Sequence, residues 1–227
     1  MSGQLKRSRS EAAANAWGPG ICQEVGALAA GHDGAMSTVF MHAVVSVDGF
    51  IADAEDNVGP LFEWYFNGDT EIVAGQPFKV SQDSVGYVRS MWQRIGTTVM
   101  GRHLFDLTNG WEGKPPAGDH IVVVTHRPRP EGWHPEASCQ FIDNVGRAIA
   151  VAKELAGERD VALTAGDVGG QALALGLVDE VAMDVVPVVF GSGKRYFGSI
   201  DAQHLLEDSD VVIQARRILH LRYRIRR

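Results

Sequence analysis

The sequence has only two cysteines in 227 residues, Cys22 and Cys139, far apart and outside any CxxC pattern. Neither a disulfide framework nor a thiolate zinc site is supported, and this usage fits a reducing cytoplasm. There is no run of 18 apolar residues, so no transmembrane helix is expected. Positive charge is also scarce: 21 Lys+Arg against 28 Asp+Glu give a formal net charge of −7. No overall field gathers nucleic acid or an anionic membrane, so any anionic ligand has to be held locally. Lys6, Arg7 and Arg9 stand near the start, but Glu11, Asn15, Gly18, Pro19 and Glu24 break any apolar stretch after them, and no signal peptide is read.

What is present, 45% hydrophobic and 22% charged residues, is the composition of an ordinary globular chain. Residues 1–37 are rich in Ala, Gly and Ser without sustained periodicity and are expected to form a mobile N-terminal arm. Residues 38–227 then make one domain, since neither an internal repeat nor a linker divides them.

VFMHAVVSV, residues 39–47, is β-branched and apolar, as in a strand buried on both faces, and Asp48-Gly49 ends it. Val85, Val88, Met91, Trp92 and Ile95 recur at helical spacing, which predicts a helix over 84–95 with Ser84 as N-cap and Gly96 just past its end. Strands are predicted at 97–100, 120–125 and 160–164. Helices are predicted from an Asp143 or Asn144 cap to Ala156 and over 168–175. Glu180 to Phe190 reads as a long apolar strand in which Pro187 suggests an edge or a bulge. Leu219, Leu221, Tyr223 and Ile225 alternate with His220, Arg222, Arg224 and Arg226, a half-buried strand whose arginines are expected on the solvent face. Strands alternating with helices imply a three-layer α/β fold, a mixed, mostly parallel sheet covered by helices on both faces.

Three strand exits suit an anion. Strand 97–100 runs into Gly101-Arg102-His103-Leu104, where a tight turn opens a helix and Arg102 adds a planar fork suited to a phosphate. Strand 160–164 runs into Ala165-Gly166-Asp167-Val168-Gly169-Gly170, glycine-rich enough for close approach to a diphosphate. Strand 120–124 runs into Thr125-His126-Arg127. Ligands of open α/β sheets collect beyond such ends, and together the three point to a dinucleotide. Other chemistry is weakly supported: the eight histidines form no HExxH or i,i+4 pair, Ser46 is in no GxSxG elbow, and GSGK at 191–194 completes no Walker pattern.

With these segments in order, SVDGFIA (46–52), MGRHLF (100–105), VVTHR (123–127), GLVDE (176–180) and PVVFGSGKRYF (187–197), the chain over 39–227 resembles the dihydrofolate reductase fold. More narrowly it resembles the reductase half of the riboflavin-biosynthesis deaminase/reductase. The resemblance implies NADPH-dependent hydride transfer to a small heteroaromatic, pterin- or aminopyrimidine-like substrate, and a homodimer. It implies that Val44, Ile51 and Ala52 border the nicotinamide, that Gly101, Arg102, His103 and Leu104 cradle phosphates with Arg102 on the adenosine 2′-phosphate, and that Thr125, His126 and Arg127 flank that phosphate and the adenine. Ala165, Gly166, Asp167 and Val168 would then meet the diphosphate.

The departures are specific. Thr164-Ala165 stands where the family has a glycine pair, and Phe50 and Leu163 replace the lysine and the acid that serve a phosphoribosyl substrate. Dihydrofolate reductase carries a carboxylate before a Trp-aromatic pair; here Glu63-Trp64-Tyr65-Phe66 offers Glu63 as proton donor, one position out of register, with Phe50, Trp64 and Phe66 lining the pocket. Asp48 reads as a turn former and Glu180 as a surface or subunit-contact residue. A relative of the same fold that binds a nucleotide or small ligand without catalysis is the rival reading.

Overall fold

A computed structural model of the chain describes residues 37–75 and 77–227, so the arm expected over 1–37 lies outside the described residues except for Ser37. The first strand, β1 (Val39–Ser46), is followed by β2 (Phe50–Ala52), a 3₁₀ helix (Gly59–Phe66), and the short hairpin strands β3 (Thr70–Glu71) and β4 (Lys79–Val80). Then come α1 (Gln82–Arg94), β5 (Ile95–Gly101), α2 (Arg102–Thr108), β6 (His120–Val124), β7 (Cys139–Ile142), α3 (Val145–Ala156), β8 (Asp160–Thr164) and α4 (Asp167–Ala174). The chain closes with β9 (Glu180–Val186), β10 (Lys194–Arg195), β11 (Val211–Ala215) and β12 (Ile218–Arg224).

Eight strands form one sheet in the order β11-β12-β9-β1-β8-β5-β6-β7, parallel from β9 through β7 and antiparallel at β12 and β11. This is the mixed, mostly parallel α/β sheet expected. On one face Val39, Met41, Val45, Val99, Val161 and Leu163 pack against Val145, Ala148, Ile149 and Ala152 of α3 and Ala172 and Leu173 of α4. On the other, Val44, Val186 and Ile218 meet Leu61, Trp64 and Tyr65 of the 3₁₀ helix and Val85 and Val88 of α1. Each fully buried Val, Leu, Ile or Met side chain contributes about 1.5–3 kcal/mol.

Local chemistry explains several boundaries. Asn144 caps α3 by accepting the Arg147 amide at 2.9 Å, and Gly157 follows its end. The first helix starts earlier than expected: Ser81, in an extended conformation, is its N-cap, and Ser84 lies inside it, buried. Gly96 belongs to β5, where a Cβ would stand 2.8 Å from the Ala156 Cα at the end of α3. Ile95 turns directly into extended backbone, so helix passes to strand without a linker.

The expectation of a sheet edge at Pro187 is corrected. β9 is paired on both sides, by β1 and β12, and ends at Val186, so Pro187 sits just after the ladder and requires no edge. β12 is paired on both sides as well, and the edges are β11 and β7. The phase of β12 is also inverted: His220 and Arg222 are buried under α1 and the 3₁₀ helix, while Leu219, Leu221 and Tyr223 are half-buried. The guanidinium of Arg222 lies 5.5 Å from the Phe40 ring centroid and 5.9 Å from that of Tyr87, an apolar stem and planar head packed as a core group.

Candidate active site

Because β8, β5 and β6 are adjacent and parallel, the three anion-suited exits open side by side at one end of the sheet. The first two touch: a Cβ on Gly101 would stand 3.0 Å from a methyl of Val168. Gly166 adopts φ +96 and ψ −155, open only to glycine, and donates to the Tyr196 carbonyl at 2.7 Å. The δ-methyl of Ile51 lies 3.5 Å from where its Cβ would project, which brings the loop after β1 against the exit of β8. The Ala165 amide donates to the His42 carbonyl at 3.2 Å. Unlike α3, α4 has no side-chain cap on its first turn among the described residues. The Asp167 side chain turns away, toward Ser199 Oγ at 3.5 Å, and lines a separate hollow of about 300 Å³.

The exits of β5 and β6 are cationic. Asp106 holds Arg102 Nε at 2.7 Å and Arg127 Nη2 at 2.6 Å, and Arg102 Nη1 also donates to the Pro128 carbonyl at 3.0 Å. Partial burial alone would raise the Asp106 carboxyl, but the hydrogen bonds and charges of both arginines outweigh it and hold it below the usual carboxylate range. Arg102 also lies 5.3 Å from the Phe105 ring centroid and 5.9 Å from that of Phe141. Alongside runs a groove of about 450 Å³ lined by Thr125, His126, Arg127, Arg129, Phe141 and Arg147. Arginine forks beside an aromatic ring suit a phosphate monoester and an adenine. His103 pairs with Asp56 at 3.0 Å, which ties the loop after β2 to the start of α2.

The expected substrate side is rearranged. Glu63 is exposed, and no described residue bonds its carboxylate, so nothing orients it as a proton donor. Trp64 is buried in the core, stacked 4.0 Å from Tyr65, and lines no open pocket; Phe66 is half exposed against Phe78. Phe50 is covered by the Arg195 guanidinium, 5.7 Å from its ring centroid. Asp48 does form the turn: it accepts from Ser46 Oγ at 2.6 Å and from the Gly191 amide at 2.7 Å, with its pKa lowered by the Ser46 hydroxyl above all. Glu180 is not a free surface group. It is half-buried, 3.5 Å from Arg222, and burial raises its carboxyl.

Sequence reasoning missed a buried polar network on the α1 face. Asp184 of β9, wholly buried, receives His42 Nε2 at 3.0 Å on one oxygen and His220 Nδ1 at 2.6 Å on the other. Ser84 Oγ lies 2.9 Å from His220 Nε2. Burial by itself would raise the Asp184 carboxyl; the charge of His42 and the hydrogen bonds of both imidazoles overcome it and hold it well below the usual range. The available signal was Asp184 itself, a carboxylate inside an otherwise apolar strand, which needs a partner.

No family model matches the chain, and no curated protein matches it in sequence. Solved structures do. A putative riboflavin biosynthesis protein from Shewanella sp. PV-4 matches with TM-score 0.61 and 20% identity, covering 85% of this chain and all of that one. RibD from Acinetobacter baumannii matches with TM-score 0.55 and 14% identity, over 84% of this chain and 58% of that one. Dihydrofolate reductase from Enterococcus faecalis, complexed with NADP(H), matches with TM-score 0.50 and 14% identity, over 85% and 98%. These likenesses establish that the chain builds the dihydrofolate-reductase-like fold shared by the riboflavin-biosynthesis reductases.

Proposed function

We propose that this chain is an NADPH-dependent reductase of a small heteroaromatic, pterin- or aminopyrimidine-like substrate, related to the riboflavin-biosynthesis reductases. The observation that supports the reading is that the exits of β8, β5 and β6 lie side by side at one sheet end, with Gly101 against Val168, Gly166 against Ile51, and Arg102 and Arg127 together on Asp106. The leading amides of α4 and the backbone of Gly101 would hold the diphosphate, and the groove from Thr125 to Arg127 the 2′-phosphate and adenine. Val44, Ile51 and Ala52 would border the nicotinamide. Bound there, NADPH supplies a hydride. The complexed state of the Enterococcus dihydrofolate reductase supports a nicotinamide nucleotide in this fold. Phe50 and Leu163 stand where the riboflavin-biosynthesis reductases carry a lysine and an acid for a phosphoribosyl group, which favours an unphosphorylated substrate.

The protein is read as cytoplasmic and homodimeric; among the described residues no helix is long and apolar enough to cross a membrane. The test is NADPH oxidation followed by absorbance against dihydropterins, aminopyrimidines and cyclic imines, together with a thermal shift by NADPH. Turnover on one class supports the reductase. A thermal shift without turnover on any supports instead the rival reading, a ligand-binding relative, which Thr164-Ala165 in place of the glycine pair favours.

A further inference from the structure

Resting on the reductase reading, we propose that His42 is the proton donor of this site, acting through Nδ1, with Asp184 and His220 as positioning residues. The placement follows from the sheet. His42 and Val44 are two residues apart on β1, on the same face and about 7 Å apart along the strand, so His42 lies next to the wall assigned to the nicotinamide. Its cross-strand partner on β8 is Thr164, at the start of the exit assigned to the diphosphate. Its side chain is 20% exposed, whereas those of Asp184 and His220 are fully enclosed. Of the two imidazoles only that of His42 is open to solvent.

The hydrogen bonds define which atom is free. Both oxygens of Asp184 are occupied, one by each histidine. His220 is held at both nitrogens, at Nδ1 by Asp184 and at Nε2 by Ser84. His42 Nε2 faces Asp184, and no described residue bonds its Nδ1. His42 Nε2 is thus held by a carboxylate, while its Nδ1 has no protein partner among the described residues. The other ionisable groups on this face do not compete. Burial pushes the hydroxyls of Tyr65 and Tyr87 up and keeps them neutral, and Arg222 is matched by Glu180.

In the step, the substrate C=N carbon receives hydride with its electron pair, the π bond opens toward nitrogen, and nitrogen takes the proton from His42 Nδ1. His42 is left neutral and regains a proton from solvent, and the cofactor is left oxidised. Glu63, solvated and unoriented, takes no part.

The test is a diethyl pyrocarbonate footprint of the full chain, read by peptide mass spectrometry with and without NADPH. His126 reports the adenosine end, His42 the nicotinamide end, and His120, at the start of β6 and so at the opposite end of that strand from the exit, is the control. At alkaline pH, where a neutral imidazole reacts with the reagent, His42 is modified in the free protein and His220 is not. At tenfold excess over Kd, NADPH slows modification of both His126 and His42 about tenfold, the free fraction set by mass action. Protection of neither overturns the cofactor reading and this proposal with it. Protection of His126 alone, or a His42 unreactive in the free protein, overturns the proposal and leaves the cofactor reading standing. On an acceptor found by the panel, His42→Gln lowers kcat about 10²- to 10⁴-fold while the NADPH Kd stays within about threefold; unchanged kcat overturns the assignment.

Discussion

His220 Nδ1 lies 2.6 Å from Asp184 Oδ1, with both side chains fully enclosed, and this contact joins β12 to β9 beneath α1. A buried carboxylate with two imidazole partners is a liability if either side is removed, because the remaining group is left without a partner. Asp184→Asn is expected to cost about 3–5 kcal/mol in urea unfolding. The pH dependence has a definite sign. The Asp184 carboxyl is depressed in the folded chain, so its contribution is complete above the ordinary value of 3.8 and is lost as pH falls through the depressed folded value. The gap between wild type and Asp184→Asn should be widest near neutrality and should narrow below about pH 4.

Gly166→Ala tests the glycine exit of β8. At φ +96 and ψ −155 a Cβ is strained at a cost of about 1–3 kcal/mol, even though the nearest atom, the Ile51 δ-methyl, is at an ordinary 3.5 Å. The variant should melt several degrees lower and bind NADPH more weakly, measured by differential scanning fluorimetry and by tryptophan quenching.

Arg127→Ala removes one of the two guanidinium groups on Asp106. Loss of a charge-assisted contact to phosphate should weaken NADPH binding about 10- to 100-fold. NADH, which lacks the 2′-phosphate, should lose little, and an equal loss for both nucleotides would remove the arginine from the phosphate site. Calorimetric titration with the two nucleotides reads the difference.

Much of the frame is legible in the sequence because it is written in local chemistry: the apolar run of β1, the Asn144 cap and Gly157 stop of α3, and the alternation of α/β elements. The phase of β12 is not. A period of two separates two faces but does not say which one is covered, and His220 and Arg222 lie on the covered face because β11 carries the sheet one strand further and α1 with the 3₁₀ helix packs over it. Two of the three anion-suited exits are visible as glycines after strands. The network of His42, Asp184, His220 and Ser84 is not, because its members are distant in sequence, with His42 and Asp184 separated by 142 positions, and meet only through strand order. The aromatic chemistry of Trp64 and Phe66 suits a pocket wall, whereas the 3₁₀ helix turns Trp64 into the core.

The homodimer is expected at β11, the antiparallel edge, where Val212 is 64% exposed. Val212→Lys should convert a dimer to a monomer in size-exclusion chromatography with light scattering. A wild-type chain already monomeric would remove the interface.

The central claim is that one cleft, from Arg127 to Val44, takes NADPH, and calorimetric titration of NADPH and NADH against the purified chain tests it most directly. The account predicts saturable binding of NADPH at a 1:1 ratio per chain and a preference over NADH of about tenfold or more, the worth of one 2′-phosphate contact. Absence of binding with either nucleotide at millimolar concentration would contradict it.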